Sequence, residues 1–124
     1  MLNNILLYAG GVIPLLWGIS HLFPTKSVVK GFGEINEDNR NIITMEWIVE
    51  GIALIFIGFI VIGLTVIGKQ GEVTSFMYYF SAGGLIVLAV VSVFTGFKVN
   101  FFPFKMCPFL FTISALLIIL GNSL

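Results

Sequence analysis

The chain has 124 residues, 58% of them hydrophobic and only 10% charged, with six basic and six acidic residues and a formal net charge of zero. Soluble proteins carry about 25% charged residues, and so few charges cannot cover a soluble surface, which excludes a soluble catalytic domain. The neutral balance offers no basic patch to nucleic acid, and the single cysteine, Cys107, excludes an internal disulfide and a C-x-x-C redox site.

Four apolar stretches run roughly Asn3–Phe23, Ile42–Gly68, Val73–Phe97 and Cys107–Leu124. Each is near or above the ~20 residues a helix needs to cross a hydrocarbon core of about 30 Å. The expected fold is all-α: an integral membrane four-helix bundle, a single transmembrane domain over residues 1–124, with helices at about 3–23, 42–68, 73–97 and 107–124.

The first stretch has no basic n-region and no small-x-small cleavage site, and it is long for a signal peptide, so it reads as a retained helix. Gly11, Pro14, Gly18 and His21 fall within an arc of ~80° on it. Pro14 is expected to kink it, because its ring displaces a backbone hydrogen bond. The loop from Pro24 to Asn41 follows. Val28, Val29, Phe32 and Ile35 recur there at near-helical spacing, with Lys26, Lys30 and Glu34 between them. That pattern predicts a short interfacial amphipathic segment. Gly31-Phe32-Gly33 is only a GxG without a preceding strand, so it is no phosphate loop. Glu37 to Asn41 is expected to turn the chain, with Asp38 or Asn41 capping the next helix.

On the second stretch Trp47, Gly51, Gly58 and Thr65 share an arc of ~40°. The short turn Lys69-Gln70-Gly71-Glu72 predicts that the second and third helices are antiparallel neighbours. The third stretch presents Thr74, Ser81, Gly84, Ser92 and Thr95 on one arc, and the fourth presents Pro108, Thr112, Ala115 and Asn122. Small and weakly polar residues allow close approach of helices in a membrane, so these stripes are the expected contact faces. The connection from Lys98 to Lys105 carries Phe101, Phe102, Pro103 and Phe104 and should dip into the headgroup region. Lys26, Lys30, Arg40, Lys98 and Lys105 lie on one side and only Lys69 on the other. The positive-inside rule then predicts a plasma (inner) membrane protein with loops 24–41 and 98–105 cytoplasmic and both termini outside.

The ionisable residues that could carry chemistry meet where the first two helices join. His21 points along the small-residue face, and Glu46 and Glu50 are one turn apart, about 40° around their helix. Trp17 stands four residues before His21, and Trp47 lies between the glutamates, so two tryptophans could wall a pocket. Gly51 to Gly68 carries no charge over 18 residues, about 27 Å of helix. Glu50 therefore sits near the inner edge of the hydrocarbon. A proton relay needs ionisable groups through the middle of the membrane, where this chain has Ser, Thr and Gly.

Each of these residues also has a plainer role. Glu46 suits a solvated helix N-terminus. Glu50 at that depth needs a partner, His21 or Lys98, or else binds a ligand. His21 can bond one helix to another, and Trp17 and Trp47 can be belt or packing residues. His21, Glu46 and Glu50 are metal-ligand types, but with one histidine and no motif no metal site is assigned.

The run Gly18-Ile19-Ser20-His21-Leu22-Phe23 resembles the G-x-x-K-L/F ending of the first helix in DoxX-like proteins. Glu46-Trp47-Ile48-Val49-Glu50-Gly51-Ile52-Ala53-Leu54-Ile55-Phe56-Ile57-Gly58 resembles that family's second helix, an acidic residue followed by a Gly- and Leu-rich run. Together with length and layout, the resemblance covers about half of the chain. His21 stands where the family usually has lysine, and no arginine begins the first helix. The resemblance implies a small four-helix inner-membrane protein. Some relatives are tied to quinone-linked thiosulfate oxidation, and others assist membrane-protein assembly. Quinone is the one cofactor it implies, and the residues themselves point to none.

Three functions follow as expectations. The first is a binding or accessory protein. It would hold a lipid-like small molecule, or the helix of a membrane-protein partner or second copy, near Trp17, His21, Glu46, Trp47 and Glu50, with membrane lipids around it. The second is a membrane enzyme on a lipophilic substrate, with His21 and Glu50 as acid and base. The third, a proton-coupled exporter like the small multidrug transporters, is disfavoured because the first stretch carries no glutamate.

Overall fold

A computed structural model describes residues 1–124. It has five helices and no strands: α1 Leu2–Leu22, α2 Thr25–Lys30, α3 Glu37–Ile67, α4 Glu72–Gly96 and α5 Phe102–Ser123. All but α2 are long and apolar enough to cross a membrane. Only 25 of the 124 residues are buried, and Phe56, Phe59, Phe80, Val87, Phe94 and Phe109 point outward. Such an apolar exterior suits lipid, not water. The chain is an integral membrane protein.

Helix α1 is the organising element, packed between α3 on one side and α5 on the other, while α4 packs on α5. The α1–α3 seam is made of glycines at a spacing of seven. A Cβ at Gly18 would lie 2.6 Å from the Gly51 carbonyl oxygen, and one at Gly58 would lie 2.7 Å from that of Gly11. The two backbones therefore touch without intervening side chains. With no solvent to expel, this close packing is what holds helices together in lipid.

The opposite flank of α1 shows how a proline is accommodated. Pro14 has no N–H, so the Gly10 carbonyl, four residues earlier, loses its helical donor. Ser114 of α5 donates its hydroxyl to that oxygen at 2.6 Å, fully buried. Helix α1 runs unbroken through Pro14. Pro108 in α5 likewise frees the Phe104 carbonyl, and that oxygen sits against Gly96 of α4, where a Cβ would meet it at 2.8 Å. We expect Ser114→Ala to cost about 1–3 kcal/mol, the penalty of a buried unsatisfied carbonyl. In the Pro14→Ala background the backbone N–H returns, so the same serine substitution should cost far less. A double-mutant cycle in detergent unfolding measures the coupling, and additive costs would refute this account.

Several boundaries differ from the sequence expectation. Helix α3 starts at Glu37, not Ile42, capped by Asn36, whose side chain accepts from the Asn39 N–H at 2.8 Å. Glu37 and Asp38 then fill the first turn, where the helix dipole favours acids. At 31 residues α3 is about 46 Å long, so it extends beyond a 30 Å core. Helix α5 starts at Phe102 because Pro103 suits the first turn, where its missing N–H costs nothing. The helical part of the first loop stops at Lys30, and a turn through Gly31–Phe32 and Gly33, at φ 76°, leaves Ile35 outside it.

The contact faces also differ on two helices. Gly84 and Thr95 of α4 and Thr112 of α5 are exposed, whereas Tyr78, Ala82, Leu85 and Ala89 pack against Phe111, Ala115 and Ile118. Helices α3 and α4, adjacent in sequence, touch little. Their bridge is Tyr78, which donates to the Thr65 hydroxyl at 2.9 Å while Thr65 donates to the Val61 carbonyl.

Candidate functional site

The end of α1, α2, the start of α3 and the α4–α5 connection converge at one end of the helices, and two adjoining hollows form there. The smaller is a cavity of about 160 Å³ lined by Trp17, Ser20, His21, Pro24, Trp47, Phe101, Pro103, Phe104 and Cys107. The larger is an open groove of about 950 Å³ between α2, α3 and the α4–α5 connection. Glu46, Trp47 and Glu50 line it together with Val28, Phe32, Ile42, Val49, Val99 and Phe101. Pro24, Trp47, Phe101 and Phe104 face both hollows.

Trp47 is the central wall. Its indole stacks on the His21 ring at 3.8 Å between centroids and 16° between planes. Its Nε1–H donates to the His21 carbonyl at 2.7 Å. That carbonyl belongs to the last turn of α1 and has no intrahelical donor, as at any helix end. The next carbonyl, Leu22, takes the Thr25 hydroxyl at 2.6 Å. The Trp47 edge is closed by a T-shaped contact with Phe104 at 5.6 Å. These contacts fix the angle at which the chain leaves α1 for α2.

His21 is buried, and its Nε2 makes no hydrogen bond, with Glu50 Oε2 at 3.5 Å as its polar neighbour. A buried ring nitrogen without a partner is uncommon in folded proteins. The Glu50 side chain is 47% exposed and turns into the groove. On the cavity's far side Trp17 donates its Nε1–H to Cys107 Sγ at 3.3 Å, and the thiol reaches the Pro103 carbonyl at 3.4 Å.

The five residues singled out in the sequence thus divide. Trp17, His21 and Trp47 surround the cavity, while Glu46 and Glu50 line the groove with Trp47. His21 and Glu50 come together, and Glu46 forms no ion pair with either a histidine or a lysine. Lys98 and Lys105 line neither hollow and pair with no carboxylate, so Lys98 is not the partner of Glu50. The residues not foreseen are Ser20, Pro24, Phe101, Pro103, Phe104 and Cys107. Phe101, Pro103 and Phe104 had a trace in the sequence, the aromatic run between Lys98 and Lys105, which folds over the cavity; Ser20, Pro24 and Cys107 had none. Comparison with protein-family models, curated proteins and solved structures gives no match for this chain.

Proposed function

We propose that this protein is a binding or accessory protein of the plasma (inner) membrane that holds a lipid-like molecule in the groove of Glu46, Trp47 and Glu50. The observation that carries this reading is the groove itself: about 950 Å³, apolar walls, and two carboxylates one helical turn apart. Ligand sites commonly join apolar walls to a few oriented polar groups. The apolar part of the ligand would lie along Val28, Phe32 and Val49, with its polar end toward Glu50. In this reading the four long helices form a membrane bundle, and α2 lies in the interface with Lys26 and Lys30 toward water. The basic residues near this end favour a cytoplasmic placement. The DoxX-like resemblance of Gly18–Phe23 and Glu46–Gly58 supports the same layout.

Native mass spectrometry of protein in mild detergent, wild type beside Glu50→Gln, tests the proposal. A stoichiometric small-molecule adduct is expected on wild type and should fall severalfold on the variant. Only bulk lipid on both proteins would remove the reading and turn the search toward a partner helix.

A second reading rests on the 3.5 Å approach of His21 Nε2 to Glu50. A histidine–carboxylate pair can exchange protons near neutral pH, so the pair would act as acid and base on a lipophilic substrate. Turnover abolished by Glu50→Gln, with the adduct still bound, would favour that enzyme.

A further inference from the structure

The groove uses one side of α2, and its other side frames a separate pocket of about 390 Å³. Lys26 and Lys30 of α2 and Arg40 of α3 line it, with Thr25, Asn41 and Thr44. The spacing explains the convergence: Lys26 and Lys30 are one turn apart on α2, and Arg40 lies in the first turns of α3 beside them. Val29, between the two lysines in sequence, is buried and anchors α2, and both lysines line the pocket together with Arg40, Asn41 and Thr44 of α3.

Three cations close together repel unless something neutralises them. Glu34, Glu37 and Asp38 are near in sequence, yet no lysine or arginine lies within ion-pair distance of a carboxylate. All three cations are exposed, and none is paired with a carboxylate. The cluster lies beyond the charge-free stretch of α3 that begins at Gly51, at the end of the spans where long cationic side chains would meet lipid headgroups. Basic pockets at such a position bind anionic headgroups, and arginine adds a planar fork matched to phosphate oxygens.

We propose that Lys26, Lys30 and Arg40 form a binding site for a phosphate group, as carried by an anionic lipid headgroup. The site is independent of the groove ligand, since it shares none of Glu46, Trp47 and Glu50. The phosphate would sit between the two lysines with Arg40 facing it, and Asn41 would supply a further amide donor. Occupancy would hold α2 against α3.

The test uses the full chain in nanodiscs or mild detergent, titrated with phosphatidylglycerol, phosphatidylcholine or inorganic phosphate. Wild type is compared with K26Q/K30Q/R40Q, and with Lys69→Gln as a cation change at the opposite end. Wild type should retain phosphatidylglycerol in preference to phosphatidylcholine. The triple variant should weaken that retention by on the order of 100-fold, roughly fivefold per cation removed. Lys69→Gln should match wild type, and added salt should weaken wild type more than the triple variant. Inorganic phosphate that binds alone, and is lost in the triple variant, would assign the site to free phosphate while sustaining the phosphate chemistry. Equal retention of both lipids together with no phosphate binding, or retention unchanged in the triple variant, would overturn the proposal. The exposed positions keep the variant foldable, and R40Q alone, expected at about a fivefold loss, serves as a milder second variant.

Discussion

Gly18→Ala and Gly58→Ala will be among the most damaging single substitutions in this chain. At Gly18 the new methyl lies 2.6 Å from the Gly51 carbonyl oxygen and 2.9 Å from the Ile55 nitrogen. At Gly58 it lies 2.7 Å from the Gly11 oxygen and 2.9 Å from the Leu15 nitrogen. These are backbone atoms, so no rotamer change relieves them and the helices must part. Overpacking of this kind costs about 1–3 kcal/mol and occasionally more. Gly11→Ala should be milder, because its nearest obstacle is the flexible Ile62 side chain, with backbone at 3.2 Å. Gly83→Ala and Gly84→Ala meet nothing within 4 Å and should be neutral or stabilising by up to about 1 kcal/mol through helix propensity. Unfolding in mixed micelles ranks the five variants. Equal losses at Gly18 and Gly84 would mean that the α1–α3 seam is not where the fold is held. The seam also sets the site, since Gly18 and Gly51 each lie within one turn of His21, Trp47 or Glu50. On the proposed function, a shifted seam should therefore weaken ligand retention along with stability.

Trp47→Ala will damage stability and, on the proposed function, ligand binding as well. It removes the His21 stack, the hydrogen bond to the His21 carbonyl and the edge contact with Phe104. Truncating a large packed aromatic costs about 3–5 kcal/mol, and partial exposure of Trp47 places it at the lower end. The cavity and the groove would then merge, since Trp47 walls both. Trp47→Phe separates the contributions. The ring still stacks on His21, but the carbonyl loses its donor, at a cost of about 1 kcal/mol. Ligand retention should survive Trp47→Phe and fail in Trp47→Ala. Equal retention by both variants would show that the wall plays no part in binding.

The polar layer was partly legible because charge is scarce in this chain. His21, Trp47 and Glu50 stand out against apolar neighbours, and helical spacing alone put Glu46 and Glu50 on one side of α3. Spacing could not say that Glu46 stays apart while Glu50 reaches His21. That depends on the rotation of α1 against α3, which the glycine seam fixes. That Cys107 and Phe104 line the cavity could not be read for a related reason, although the aromatic run that holds Phe104 was visible. They reach the cavity because α5 begins at Phe102 and packs along α1, a long-range contact that no local pattern records.

What the sequence determined by itself is the class and the contact faces of α1 and α3. Its hydropathy requires spanning helices, since backbone polar groups in lipid must be satisfied within the helix. Gly11, Gly18, Gly51 and Gly58 mark where two backbones touch, because any side chain there would hold them apart. The tertiary structure alone decided the faces of α4 and α5 and the order of the helices. A helix apolar all round has no preferred face of its own. Leu85 turns inward and Gly84 outward only because Phe111 and Ala115 of α5 stand opposite. In lipid both faces are equally welcome outside, so the fit between partners makes the choice.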